Sequence, residues 1–210
     1  MTDLFNQKID YHYDASGNRI RTDTQETDGS LTTTISQTFD ALNRLSSINQ
    51  PHISGQDSVQ QFQYDGADNL AQSIDANGHV NDQVFDPGKR LVERIDALLG
   101  STSFTYNANG QITQTVAPNG SVTDYQFDTL DRVISETSAD RGTLSYSYDL
   151  NNNPISITDA RGITATYRYD ELNRLTGIQY PEPRENITLS YDQCTFGIGR
   201  LCSVIDVSGH

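Results

Sequence analysis

The sequence predicts an all-β protein built from tandem antiparallel β-hairpins, with one repeat about every 21 residues. Three observations predict it: an aromatic–aspartate pair recurs at a near-constant spacing, glycine follows it at a second spacing, and apolar and polar residues alternate between them. The composition agrees, because 34% hydrophobic and 9% aromatic residues are too few for one dense core and too many for a disordered chain. We therefore expect many short strands joined by polar turns.

The aromatic–aspartate pair is the anchor of each repeat. From Tyr64 to Tyr169 each step between anchors is 21 residues, whereas the first two steps are 26 and 25 residues and the last is 22. Asn107 takes the place of aspartate after Tyr106. We interpret residues 1–210 as a single array of such repeats. The other anchors are Tyr13-Asp14, Phe39-Asp40, Tyr64-Asp65, Phe85-Asp86, Phe127-Asp128, Tyr148-Asp149, Tyr169-Asp170 and Tyr191-Asp192.

Each repeat contains two turn signals. In the first, the anchor aspartate precedes an Asn-Arg-Leu-like element such as Asn173-Arg174-Leu175, and its carboxylate is expected to accept N–H groups two or three residues on. The second is a glycine, which in Asn77-Gly78 and Asn119-Gly120 predicts a tight hairpin turn, since both residues tolerate positive φ. The glycines of this series are Gly78, Gly100, Gly120, Gly142 and Gly162.

Residues between the glycine and the next anchor alternate with period two, which is typical of a strand with two different faces. Leu144, Tyr146 and Tyr148 share one face, and serine and threonine share the other. We expect two rows of aromatic rings in neighbouring strands, one formed by the anchors. Because twist accumulates in a sheet of many strands, we expect it to curve or spiral. The second row contains Tyr11, Phe62, Phe104, Tyr125, Tyr146 and Tyr167.

A parallel β-solenoid is the main alternative fold, since one coil can also take about 21 residues. The leucine-rich and glycine-rich calcium-binding frameworks are absent from the sequence. Turn signals at both ends of each repeat favour antiparallel hairpins over the solenoid.

Charge and hydropathy argue against two classes of partner. The net charge is −14, with 14 Lys and Arg against 28 Asp and Glu, so nucleic acid and anionic membrane surfaces are disfavoured. No apolar run approaches the ~20 residues of a membrane span. The N-terminal residues MTDLFNQKID lack the basic and apolar regions of a secretory signal, so any export is expected to use another route.

Two segments resemble the YD repeat of the RHS family: Tyr13-Asp-Ala-Ser-Gly-Asn-Arg-Ile20 and Tyr169-Asp-Glu-Leu-Asn-Arg-Leu175. The resemblance extends over about residues 9–206. The family includes bacterial polymorphic toxins, C components of insecticidal toxin complexes, and animal teneurins, and its repeats wind into a hollow β-shell. The resemblance implies a structural, non-enzymatic role in a bacterial shell that encloses a C-terminal toxin or effector domain.

The same resemblance implies the partners and the location. The expected partners are the remainder of the shell and its enclosed toxin domain, with either a carbohydrate or a secretion-machine component as a further candidate, and the protein is expected to be secreted or delivered by a secretion system. The self-processing motif of such toxins has no match here, so we expect a slice of a longer shell. Pro154 interrupts the Asn-Arg element, and the turn after Tyr191 is stretched as far as Leu201.

Other functions remain as alternatives. Exposed aromatic rows that include Tyr146 and Tyr167 would suit a carbohydrate- or cell-surface-binding module. An enzyme using repeat carboxylates is a remote third hypothesis, because no catalytic, cofactor or metal motif stands out. Cys194 and Cys202 are either a disulfide across the stretched turn or two free thiols.

Overall fold

The fold is all-β, and the computed structural model describes residues 8–51 and 57–207. Its 18 strands belong to an antiparallel sheet, and the described helical structure is one short 3-10 helix, Pro183–Glu185. No described helix is long and apolar enough to cross a membrane. The prediction of an all-β fold made of antiparallel hairpins is therefore confirmed.

The chain forms two compact units, Met1–Phe104 and Thr105–His210, and β9 (Ser101–Tyr106) crosses the boundary between them. In the first unit the strands are β1 (Lys8–Tyr13), β2 (Arg19–Gln25), β3 (Leu31–Phe39), β4 (Leu45–Gln50), β5 (Ser58–Tyr64), β6 (Leu70–Ile74), β7 (Val80–Phe85) and β8 (Leu91–Ile95). In the second unit they are β10 (Ile112–Val116), β11 (Val122–Phe127), β12 (Val133–Ser138), β13 (Gly142–Tyr148), β14 (Pro154–Thr158), β15 (Thr164–Tyr169), β16 (Leu175–Gln179), β17 (Ile187–Tyr191) and β18 (Leu201–Ile205).

Within each unit every strand pairs antiparallel with the next one along the chain. In the second unit, Tyr167 pairs with Ile178 and Tyr169 with Leu175 across β15 and β16. The register shifts just before the anchor, as it does beside Phe127 and Tyr148. Such a bulge places one extra residue on the second strand and increases the local twist.

Neither unit has a packed interior in its described residues. Ala165, 8% exposed, is the buried apolar residue, and no described side chain is less than 2% exposed. Most strand residues are half-buried, as expected for one sheet layer with both faces open. Backbone ladders, turns and side-chain rows along the sheet therefore provide most of the stabilising contacts.

The glycine turns differ from the predicted tight turns. Gly78 has φ 81° and Gly120 has φ 80°, but Asn77 and Asn119 are not in the left-handed region. Asn77 instead donates its N–H to the Asp75 carboxylate. The prediction of a tight turn at each Asn-Gly pair was wrong, because the loop is a longer turn with a single left-handed residue.

Candidate functional site: the turn ladder

The turn that follows each anchor is built around its aspartate, as Asp170 shows. Asp170 donates its N–H to the Arg174 carbonyl at 3.0 Å, and Asn173 donates its own N–H to the Asp170 carbonyl at 3.0 Å. Asp170 Oδ1 accepts N–H groups from Leu172 and Arg174, each at 2.9 Å. Arg174 Nε donates to Asp170 Oδ2 at 2.7 Å. One carboxylate thus binds backbone and side-chain donors that would otherwise face water.

Left-handed backbone at the fourth residue completes this turn. Asn173 has φ 60°, which turns the chain into the next strand with a bulge, as in hairpins whose type I turn is followed by a left-handed residue. The same backbone and carboxylate contacts recur at six other anchor aspartates, Asp14, Asp40, Asp65, Asp86, Asp128 and Asp149.

Asn107 preserves the geometry without the charge. Its Oδ1 accepts the N–H groups of Asn109 and Gln111, each at 3.0 Å. Its Nδ2 is a donor where aspartate has an acceptor, and it donates to Gln111 Oε1 at 2.7 Å. The residue type at the fifth position of the turn therefore depends on the first residue. When the first residue is aspartate, the fifth is arginine or asparagine, and when the first is asparagine, the fifth is glutamine.

The fifth residue also links one turn to the next. Arg174 binds Asp192 with two nitrogens, at 3.2 and 2.8 Å, in addition to Asp170. Its guanidinium lies 4.5 Å from the centre of the Tyr191 ring, a cation–π distance. Tyr191 in turn donates its hydroxyl to the Leu175 carbonyl at 2.9 Å. Arg174 and Tyr191 therefore each join two consecutive repeats, and we call the connected row of anchor turns the turn ladder.

Similar links are present elsewhere in both units. In the first unit, Arg44 contacts Asp68 and lies 4.6 Å from the Tyr64 ring centre. In the second unit, Arg132 lies 4.7 Å from the Tyr148 ring centre and donates to the Asp149 carbonyl. Three further anchor hydroxyls bind carbonyl oxygens of the preceding repeat: Tyr64 to Leu45, Tyr148 to Val133 and Tyr169 to Pro154.

The electrostatics of the ladder follow from these contacts. The backbone N–H of Arg174 and then its guanidinium hold the pKa of Asp170 below its ordinary value. The Asn18 side chain and backbone do the same for the pKa of Asp14. The hydrogen bonds that Arg174 donates to Asp192 and then to Asp170 raise the pKa of Arg174. The ladder aspartates are therefore held as carboxylates, which can accept several N–H donors at once.

Comparison with known proteins identifies this repeat. The RHS Repeat family model matches residues 85–122, 106–143 and 148–185.

Residues 85–143 and 148–185 of this chain are therefore similar to the RHS repeat.

Solved structures show the same fold. The crystal structure of TcdB2-TccC3 matches 93% of this chain with a TM-score of 0.67 at 12% identity. That of TcdB2-TccC3-TEV matches 97% with a TM-score of 0.64 at 18% identity. The Photorhabdus luminescens Tc holotoxin pore matches 93% with a TM-score of 0.56 at 16% identity. The chain spans only 12%, 14% and 16% of those chains, respectively. No curated protein matches it in sequence.

The anchor residues of the repeats have a common place in the structure. Each anchor aromatic is the last residue of its strand, and each anchor aspartate is the first residue of the turn. Phe39, Phe85 and Phe127 carry no hydroxyl and contribute their rings alone. Tyr13 in β1 is 58% exposed and is the most exposed of the anchor aromatic residues.

The aromatic rows differ from the prediction in one respect. Tyr125, Tyr146 and Tyr167 do not lie on neighbouring strands, because each pairs with a residue of the intervening strand: Glu136, Ile157 and Ile178. The prediction of ring-to-ring contact between adjacent strands was wrong. Among the described strands, only the first strand of each hairpin carries aromatic residues, and the second strand separates them.

Aspartate turns at the opposite ends of the strands were missed by the sequence reasoning. Asp75, Asp96 and Asp159 each accept N–H groups two and four residues later. The signal was present in the sequence, since each lies ten residues after Asp65, Asp86 or Asp149. In the turn that begins at Asp96, the left-handed residue is Leu99, with φ 63°, rather than Gly100.

The stretched last turn keeps the ladder contacts by a different route. Asp192 donates its N–H to the Arg200 carbonyl at 3.1 Å and accepts the Gly199 N–H at 2.7 Å. Cys194 and Cys202 form a disulfide with a Cα–Cα distance of 5.4 Å. A Cβ on Gly197 would lie 2.6 Å from the Cys194 carbonyl and within 2.8 Å of both sulfurs. Glycine is therefore required where the loop passes over the disulfide.

Among the described residues, no group of three or more His, Cys, Asp or Glu side chains is arranged to hold a metal ion.

Tyr169→Phe should lower the free energy of unfolding by about 0.5–1.5 kcal/mol, because it removes the hydrogen bond to Pro154 and leaves that carbonyl unpaired. Urea unfolding monitored by circular dichroism measures the change. Tyr167→Phe is the matched control on the same strand, since its hydroxyl has no hydrogen-bond partner in the described part of the chain. Equal effects of the two substitutions would contradict the role given to the anchor hydroxyl.

Lowered aspartate pKa values predict a loss of stability in acid. The native pKa lies below the unfolded value of about 3.9, so the stabilisation is complete above that value and is lost as pH falls through the native pKa. Urea midpoints at about pH 6, 4 and 3, in about 0.15 M salt to screen net repulsion, should fall steeply below pH 4. A constant midpoint over this range would refute the assignment.

Reduction of the Cys194–Cys202 disulfide should loosen the last hairpin. The bond spans 8 residues, and closing a loop of this size stabilises the fold by about 2–3 kcal/mol. Amide exchange in β17 and β18 should therefore become faster in reductant. The Cys194→Ser/Cys202→Ser chain should exchange equally fast with and without reductant. Two titratable thiols in the oxidised chain would show that no disulfide forms.

Proposed function

We propose that this chain is a structural segment of an RHS-type shell that encloses a C-terminal toxin or effector domain. The observation that carries the proposal is the single-layer sheet: regular hairpins are joined by the turn ladder, and no described side chain is fully buried. When repeats are added to a single-layer sheet, the area of the sheet increases but no buried core is enlarged. Each repeat adds two strands, or about 9–10 Å of wall, for about 21 residues.

The two faces of the sheet suit a wall. One face carries the half-buried aromatic and aliphatic residues, such as Tyr146 opposite Ile157. The other carries hydroxyl pairs, such as Ser147 with Ser156 and Thr158 with Thr164. A wall needs different faces because one side meets solvent and the other meets its contents.

Partners and location follow from the same proposal. The matched chains belong to Tc toxin complexes, and this chain spans at most 16% of their length in these comparisons. We infer that the partners are the remaining repeats of the shell, its enclosed domain and a component of a secretion machine. The protein would be bacterial, and secreted or delivered by a secretion system.

A structural rather than enzymatic role agrees with the carboxylates. The ladder aspartates, Asp170 among them, are engaged by the backbone and side-chain donors of their own turns. A general acid or nucleophile needs a carboxylate that is free to meet a substrate. The repeated aspartates are therefore assigned to folding rather than catalysis.

Protease protection in the complete gene product tests the shell. We expect the region that follows the array to resist added protease until the array itself is cut. A matched variant with Asp128, Asp149 and Asp170 all changed to Ala should open the wall and expose that region. Cleavage of the region at the same rate in the native and variant proteins would contradict enclosure.

A further inference from the structure

The turn that begins at Asn107 differs from the arginine-containing anchor turns at the place where two repeats meet. In those turns the guanidinium of the fifth residue lies over the ring of the next anchor, as Arg174 lies 4.5 Å from the centre of the Tyr191 ring. The Asn107 turn has Gln111 at its fifth position, and the next anchor is Phe127. A glutamine side chain is shorter than arginine and has no guanidinium to cover that ring.

Hydrogen bonds hold the Gln111 side chain along the turn. Its Oε1 accepts a hydrogen bond from Asn107 Nδ2 at 2.7 Å, and its Nε2 donates to the Asp131 carbonyl at 2.9 Å. The fourth residue, Gly110, adds no side chain, and a Cβ there would meet nothing within 4 Å. The corresponding left-handed residue of the Asp170 turn is Asn173. Glutamine and glycine together leave space beside the anchor rings.

This space is a pocket of about 470 Å³ in the second unit. Its walls are three rings, those of Tyr106, Tyr125 and Phe127, and the aliphatic side chains of Ile112 and Val133. Among the described residues that line it, none is charged. An apolar cavity of about 150 Å³ is large enough to hold benzene, so this pocket has room for a larger ring compound.

The other repeats indicate the shape of the ligand. A planar guanidinium lies over the anchor ring in the turns that contain Arg132 and Arg174, and a planar group fits the equivalent place over Phe127. An aromatic ring is planar, and it packs on other aromatic rings in offset-stacked or edge-to-face arrangements. Shape therefore favours an aromatic ring over a bulky aliphatic group.

The lining of the pocket indicates the charge of the ligand. A cation would lose hydration without meeting a carboxylate at the first turn position, because Asn107 stands there and its Nδ2 is a donor. An anion would also lose hydration, and it would approach a chain of net charge −14. A neutral ring avoids both costs and gains from the burial of apolar surface.

We propose that the pocket of the Asn107 turn binds a planar, uncharged aromatic ring. A small aromatic compound and an aromatic side chain of another polypeptide offer this same chemistry. The proposal is independent of the shell, because it rests on one turn in which glutamine replaces the arginine or asparagine of the other anchor turns.

Saturation-transfer NMR on the full 210-residue chain, in about 0.15 M salt, tests the proposal. Indole represents a free ring, and N-acetyltryptophan amide represents a side chain. Indole should bind with a dissociation constant of about 1 mM or lower. Binding of the amide as well would extend the site to aromatic side chains, and binding of indole alone would restrict it to small compounds.

Charged probes test the predicted neutrality of the ligand. Methylguanidinium is the cationic comparison and benzoate the anionic one, and each should bind at least about tenfold more weakly than indole. Tighter binding of either charged probe than of indole, or no binding of indole and the amide, would overturn the proposal.

Two variants assign the binding to the pocket. Asn107→Asp/Gln111→Arg recreates the aspartate–arginine pair of other anchor turns and places a guanidinium over Phe127, so the dissociation constant for indole should rise at least about tenfold. Phe127→Leu removes the ring but keeps an apolar side chain, and it should weaken binding about two- to tenfold.

Asn153→Arg is the matched control, because it introduces the same arginine into another anchor turn of the second unit, outside the pocket. It should bind indole as the native chain does. The control and the double variant both use residue pairs already present in the array, so their urea midpoints should stay close to that of the native chain. Unchanged indole binding in the double variant would place the ligand elsewhere and overturn the proposal.

Discussion

The carboxylate that closes each anchor turn is the interaction on which the rest of this structure depends. In a protein with a core, side-chain packing sets the register of a strand, whereas here both faces of the sheet are open. The aspartate fixes register at the turn instead, because its Oδ1 binds the N–H groups two and four residues later. A one-residue slip would break these bonds and move the aromatic residues to the polar face.

Regular turns make regular links between repeats. Once each turn has the same shape, its fifth side chain reaches the turn of the next hairpin, as Arg174 reaches Asp192 and Tyr191. The anchor hydroxyl returns a hydrogen bond to the preceding repeat. The ladder stabilises an array through contacts between neighbours alone, as in other repeat proteins. Such an array can extend into a wall without requiring a larger core.

Much of this architecture could be predicted from the sequence, because the features that define it are local and repeated. The anchors, the alternation at Tyr146 and Tyr148, and a capping role for aspartate all depend on residues close together in the chain. The separation of the aromatic rings by an intervening strand was not predicted, because it depends on which strands pair with each other, and the composition of the chain does not give that pairing. The left-handed conformation of Leu99 was not predicted, because the adjacent Gly100 is the residue type that favours that conformation. The segment from Tyr180 to the 3-10 helix Pro183–Glu185 is a single departure that a repeat pattern cannot describe.

The most direct measurement is the urea midpoint of Asp149→Ala compared with that of Asp149→Asn. If hydrogen bonds to the side-chain oxygen of the first turn residue stabilise the sheet, Asp149→Ala should lower the urea midpoint strongly. Asp149→Asn should lower the midpoint much less, because Asn107 accepts the same backbone hydrogen bonds in its own turn. Leu150→Ala, at a neighbouring residue that is 99% exposed, should change nothing. A midpoint for Asp149→Ala that matches Leu150→Ala would contradict the account and place the stability of the sheet elsewhere.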